Sequence, residues 1–325
     1  LAISERMNAQ VRGFAVAARN ANDGISLAQT AEGALGKVGD MLQRIRELAV
    51  QSSNATNSQT DRDALNAEVT SLKDEIARVA TQTSFNGTKL LDGTFTSQQF
   101  QVGTNAGETI TVASIANATL AQLGGTTNIA TASVAASGLS GFATAVAAGG
   151  VVINGVDIGA LPAAGSAGER ANQLVAAINS VSAQSGTSAS YDAATGQISL
   201  RNNNASIVIT GTTNDATVAG FANATTAAVA TTGIAGLNVS GFGSAQTALV
   251  QVDKALAQIN TSRANLGAVQ SRFETVIGNI AVSAENLAAA RGRIMDADFA
   301  AETANMSRAQ ILQQAGTAMV AQANQ

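Results

Sequence analysis

Seven apolar residues near the C-terminus recur at an interval of seven: Val252, Ile259, Leu266, Phe273, Ile280, Leu287 and Ile294. No proline interrupts them. A seven-residue period over that distance returns to one helical seam every second turn, as in a coiled coil. The positions three further on are Ala255, Ser262, Val269, Val276, Ser283, Ala290 and Ala297, mostly small. The spacing predicts a long helix whose narrow seam packs tightly on other helices. Such a ladder is packing architecture, not a reaction site.

The omissions agree. The 325 residues include no His, Cys or Trp and a single Tyr, Tyr191. Without His and Cys, zinc, haem and thiol chemistries lose their usual ligands and bases, leaving only carboxylate or lysine mechanisms in principle. No catalytic, cofactor-binding or metal-ligating residues are assigned, no cofactor is expected, and the expected class is not an enzyme. A net charge of −4 argues against nucleic acid as a partner. Apolar runs are broken by Gly, Ser, Thr and Asn within a few residues, so no membrane insertion is expected. No basic-then-apolar leader is present and residue 1 is leucine, which suggests a piece of a longer product.

Charge divides the chain. Residues 105–240 hold seven of the 40 charged side chains: Glu108, Asp157, Glu169, Arg170, Asp192, Arg201 and Asp215. In the first flank, Ile3, Met7, Val11, Phe14, Ala18, Ala21, Ile25 and Ala28 step by four and three. Leu35, Val38, Leu42, Ile45 and Ala49 continue the stripe, predicting a helix to about residue 50. Ser58 and Asp61 read as a capping pair for a second helix carrying Leu65, Val69, Leu72, Ile76 and Val79. Asn86-Gly87 and Asp92-Gly93 are hairpin signals. In the middle, Val151 to Val156 reads as strand and turn, 169–182 as a helix, 188–201 as a hairpin and Ile207-Val208-Ile209 as a strand. Residues 113–148 are too low in complexity for strands to be placed. The fold expected is α+β: a long antiparallel, coiled-coil-like helical bundle from both chain ends with an inserted, mainly β region. The boundaries are 1–104 (hairpin near 85–103) and 241–325 for the bundle, and 105–240 for the insertion, with its best-defined unit near 150–210.

At this point the residues resemble a known family. Arg19-Asn20-Ala21-Asn22-Asp23-Gly24-Ile25-Ser26, Leu42-Gln43-Arg44-Ile45-Arg46-Glu47-Leu48-Ala49, Ser84-Phe85-Asn86-Gly87 and Phe100-Gln101-Val102-Gly103 look like bacterial flagellin. So do Arg263-Ala264-Asn265-Leu266-Gly267-Ala268, Arg293-Ile294-Met295-Asp296-Ala297-Asp298 and the end of the chain through Asn324-Gln325. The resemblance covers roughly 1–104 and 244–325, and Ile153-Asn154-Gly155 and Ala177-Ile178-Asn179 are similar to the flagellin IN motif. Flagellins usually extend beyond both ends, so the chain looks like a truncated flagellin.

The resemblance implies an extracellular structural subunit of the bacterial flagellar filament, self-associating through its helices for motility. Implied partners are other flagellin subunits, the flagellar export chaperone and the filament cap. Positions matching Leu42, Gln43, Arg44, Glu47 and Glu68 lie, in flagellins, where the host's flagellin-sensing Toll-like receptor docks; a solvated charged face is the plainer reading of the same residues. A rival from another class is a cell-surface binding module whose β insertion holds a polysaccharide or host surface, although only Phe142, Tyr191 and Phe221 supply aromatic rings there. A hook–filament junction protein is a close structural relative. A zinc-protease insertion is excluded because its H-E-x-x-H pair needs histidine.

Several local features carry two readings. Gly33, Gly36 and Gly39 either weaken a helix or form a face that another backbone approaches closely. Asn22-Asp23-Gly24 reads as solvated helix rather than a cation loop. Arg201 to Asn204 and Asp215 read as loop residues. Glu285, Arg291, Arg293, Asp296 and Asp298 read as ion-pairing groups. The apolar positions Met306, Ile311, Leu312, Ala315 and Met319 form a stripe whose partner, by the same resemblance, lies before Leu1; unpaired, it is expected to fray, swing away or pack on a neighbouring molecule, and residues 1–325 alone are expected to stay monomeric or associate weakly.

Overall fold

The structure, a computed structural model, describes residues 2–54, 56–193, 195–212, 217–295 and 299–323. Helices take both ends of the chain, where apolar residues recur at helical spacing without proline. The first is α1 (Ala2–Ser52) and the second α2 (Gln59–Gln82). The start of α2 is fixed by a capping box: Ser58 Oγ accepts the Asp61 N–H at 3.2 Å and the Asp61 carboxylate accepts the Ser58 N–H at 3.0 Å. Bonds from Ser58 hold the Asp61 carboxyl below its ordinary pKa.

A short hairpin follows, β1 (Ser84–Phe85) and β2 (Thr88–Lys89), turned by Asn86 and Gly87 at positive φ. Next come β3 (Gln98–Gln101) and β4 (Thr109–Val112), an antiparallel pair. The inserted region begins with β5 (Thr126–Ala135) and continues through β6 (Val152–Ile153), β7 (Val156–Asp157), α3 (Ala167–Ser180) and α4 (Ser182–Ser185). It ends with β8 (Thr187–Asp192), β9 (Gln197–Asn202), β10 (Ile207–Thr210), β11 (Ala224–Thr226) and β12 (Val229–Thr232). Two antiparallel sheets result, ordered β12-β5-β9-β8 and β11-β10-β6-β7. Their core gathers Leu139, Ile153, Leu174, Ile178, Ile198 and Leu200. Within it Arg170 is fully buried and donates through Nη2 to the carbonyls of Phe142 and Thr144. Long helices close the chain: α5 (Phe242–Met295) and α6 (Phe299–Ala323).

The chain forms two compact units. The smaller holds Leu1–Ser26, Gln98–Val112 and Val269–Gln325. The larger holds Leu27–Ser97 and Ala113–Ala268, so residues beyond 104 contribute to both and the β insertion shares a unit with α2. The reason is visible in the chain leading into α5. Ile234, Leu237 and Val239 are buried. Lys73 Nζ on α2 donates to the carbonyls of Ala235 (2.6 Å) and Leu237 (2.8 Å), and Asn66 Oδ1 accepts the Val239 N–H at 2.9 Å. The inserted strands leave and return at one point. Gly233 N–H donates to Gly125 O at 2.9 Å, beside the pair Thr126–Thr232.

Candidate association surfaces

In the larger unit the seam residues Val252, Ile259 and Leu266 are buried. Ion pairs flank them, Arg46 Nε to Asp253 at 2.7 Å and Arg263 to Glu32 at 3.5 Å, linking α1 and α5 at the surface. Apolar burial supplies the energy there, at about 25 cal/mol per Å², while exposed pairs of this kind favour one register over its neighbours. Gly33 and Gly36 face open space, and a Cβ at Gly39 would meet only Ile259 at 3.9 Å. Close backbone approach is therefore not what these glycines serve.

It is served in the smaller unit by Gly24. A Cβ there would lie 2.5 Å from Cζ of Phe273, so the ring occupies the space that glycine leaves. Phe273 is 0% exposed and packs edge-on against Phe100 of β3, centroids 5.6 Å apart. Asn20 Nδ2 ties α1 to the same strand through Gln101 O at 3.0 Å. Sequence reading missed this lock; its signal was a glycine in mid-helix, facing the one aromatic rung of the ladder. Ile280 is buried and Leu287 half-buried, but Ile294 is 52% exposed. The seam predicted through Ile294 thus opens towards its end. At Phe273 three elements meet, whereas near the end of the seam Arg291 Nη1 donates to Asn8 Oδ1 of α1 at 3.0 Å.

The expected receptor patch divides. Leu42 is fully buried beside Leu35, Val38 and Ile45, and so belongs to the core: it lies on the inward stripe of α1 and presents nothing to a partner. Gln43, Arg44, Glu47 and Glu68 are exposed. Arg44 bridges the two acids, 2.8 Å to Glu68 and 3.0 Å to Glu47, and these bonds, Glu68's first, raise its pKa.

In the insertion, a cleft of about 560 Å³ lies between β5, β8, β9 and the first turn of α5, with Arg201 its one charged lining residue among the described residues. Arg201 Nη1 donates to Gly243 O (2.9 Å) and Thr247 Oγ1 (2.6 Å), clamping β9 to α5, and burial pushes its pKa down to about 10. Asn202 Oδ1 caps the following turn at the Asn204 and Ala205 N–H groups. These residues, expected in a loop, serve the fold. Phe221 is in the core and Tyr191 packs against it, so neither forms a sugar platform. Asp215, Asp296 and Asp298 lie outside the described residues.

α6 differs from every other helix. Met306, Ile311, Leu312, Ala315 and Met319 are all exposed, Met319 to 74%. A run of large apolar side chains left in water is characteristic of a surface that another molecule covers. Among the described residues, no group of three or more acidic residues is placed to hold a metal ion, and no helix is long and apolar enough to cross a membrane.

Comparison with known proteins shows the family. The bacterial flagellin N-terminal helical region matches residues 1–96, the flagellin C-terminal helical region 249–325 and the flagellin hook IN motif 150–204. Flagellin B of Vibrio anguillarum is 37% identical over 100% of this chain and 85% of its own length. The B-type flagellin of Pseudomonas aeruginosa is 36% identical over 100% of this chain and 88% of its own. The crystal structure of a flagellar hook-associated protein-3 from Legionella pneumophila aligns with a TM-score of 0.51 at 14% identity, over 89% of this chain and 98% of that one, which is a likeness of fold alone.

Proposed function

Because the chain belongs to the flagellin family, and is a structural subunit of the extracellular bacterial flagellar filament, we propose that its apolar surfaces divide the work of folding and assembly. Subunits of this family associate with one another for motility and carry no enzymatic activity. The α1–α5 seam holds the monomer; the α6 stripe is kept for other subunits. The observation carrying this reading is that α5 buries Phe273 and Ile280 while α6 leaves Ile311, Leu312 and Met319 in water. The test replaces those three α6 residues by Gln in a bacterium lacking its own flagellin. A stable, exported chain that fails to enter filaments is expected; normal filaments would overturn the reading.

The finer partners follow from the same surfaces. An export chaperone would cover the α6 stripe before assembly, and the filament cap would meet it as the subunit folds into place. Gln43, Arg44, Glu47 and Glu68 form the patch we assign to a host Toll-like receptor, without Leu42. Charge reversal of Arg44 should weaken receptor activation and leave the fold intact. The seam from Val252 to Ile294 is, in this reading, a folding surface up to Ile280 and an association surface beyond it. Residues 105–240 contribute a variable module whose strands are replaceable between Gly125 and Gly233, where the Gly233 N–H donates to the Gly125 carbonyl. Excising 126–232 should leave the helices cooperatively folded.

A further inference from the structure

The sequence contains two Asn-Gly pairs, Asn86-Gly87 and Asn154-Gly155, and both fold alike. Asn86 and Gly87 have φ of 46° and 80°; Asn154 and Gly155 have 52° and 82°. Each pair is the two-residue loop of a hairpin with two-residue strands. Asparagine and glycine suit such turns because both tolerate positive φ. The two sites differ in what holds the asparagine side chain.

Asn154 is anchored throughout. Its Nδ2 donates to Ser185 O at 2.8 Å and to Thr187 Oγ1 at 3.2 Å, and its Oδ1 accepts the Val208 N–H at 2.8 Å. Its backbone N–H donates to Val208 O at 2.8 Å, and β6 pairs with β10 on its other edge. Asn86 is exposed, and no hydrogen bond among the described residues holds its side chain. Gly87 is exposed too, with nothing within 4 Å of where a Cβ would stand. β1 and β2 form a ribbon of two strands only. An isolated ribbon of this kind is marginally stable and opens locally at little cost.

We propose that Asn86-Gly87 is a site of spontaneous covalent modification, deamidation through a cyclic imide, and that Asn154-Gly155 is its protected counterpart. In the step, the Gly87 nitrogen attacks Asn86 Cγ and a new N–C bond forms. The amide nitrogen Nδ2 takes up the proton lost from Gly87 and leaves as ammonia, giving a five-membered succinimide. Water then opens the ring at either carbonyl, yielding aspartate or isoaspartate. Water is the only co-reactant, and nothing is oxidised or reduced. Glycine favours the attack because it carries no side chain to crowd the approaching nitrogen. Ring closure needs the asparagine to rotate about its backbone and side-chain bonds, which the hairpin permits when it opens. At Asn154 the same rotation must first break three side-chain hydrogen bonds. The product adds a negative charge to an exposed hairpin, and isoaspartate also lengthens the main chain of a two-residue turn.

The test incubates the folded chain at mildly alkaline pH, then follows both peptides by mass and by isoaspartate content. Asn86 should convert roughly a hundredfold faster than Asn154, a modest return on three hydrogen bonds, each worth up to about tenfold. In urea the two rates should converge. Thr187→Ala should speed conversion at Asn154 and leave Asn86 unchanged. Equal rates in the folded chain, or a difference that persists in urea, would overturn the proposal, the latter by tracing the difference to neighbouring residues rather than to anchoring.

Discussion

The two helices that follow the β insertion, α5 and α6, are both rich in apolar residues and meet opposite fates. α5 sets Phe273 between Gly24 and Phe100 and buries Ile280. α6, close behind it in sequence, leaves Met306, Ile311, Leu312 and Met319 in water. Hydrophobicity is not the difference; the availability of a partner is. A helix in isolation cannot bury its own stripe, because its side chains radiate from one axis. α5 has α1 and the β3–β4 hairpin to pack against, so its apolar area stabilises the folded chain. Among the described residues nothing covers the large apolar side chains of α6, and the reading proposed above gives that area to assembly. In that reading the filament subunit folds through α5 and keeps the area of α6 for assembly.

The largest effect that tests this contrast is at the lock. Phe273→Ala should cost about 3–5 kcal/mol by urea unfolding, the range for a fully buried aromatic. A loss of under about 1 kcal/mol would show that the seam is not what holds the fold. Gly24→Ala comes next. The gain in helix propensity is outweighed by a clash with the Phe273 ring, so destabilisation by about 1–3 kcal/mol is expected. Gly33→Ala should change sign, stabilising by about 1 kcal/mol, because its Cβ would meet nothing. If both alanines stabilise, the close approach at Gly24 is dispensable. The smallest effect is at the surface: Asp253→Asn, removing an ion pair whose partners are each about half exposed, should leave the melting temperature unchanged within error.

The same contrast explains what could be read from the sequence. The ladder from Val252 to Ile280, the Ser58–Asp61 cap and the two Asn-Gly turns follow from local rules of period, capping and backbone dihedral, which need no knowledge of neighbours. β5 was not legible. Its Thr, Ile and Val favour strands, but Asn, Ala and Ser interrupt them in a low-complexity stretch, and pairing with β9 and β12 decides the conformation. The Gly24–Phe273 lock was equally hidden, because it joins residues far apart in sequence and a single mid-helix glycine has several causes. Leu42 was assigned to a partner by resemblance although it sits on the inward stripe with Leu35, Val38 and Ile45. There the residues' own periodicity was the better guide.

Hydrogen exchange of the backbone, in the free chain and in assembled filaments, tests the division between folding and assembly most directly. In the free chain, α5 amides from Val252 to Ile280 should exchange only through global unfolding, while α6 amides from Met306 to Met319 should exchange many times faster by local opening. In filaments the α6 amides should become protected as well. Equal protection of α5 and α6 in the free chain, or an α6 that stays unprotected in the filament, would contradict the account.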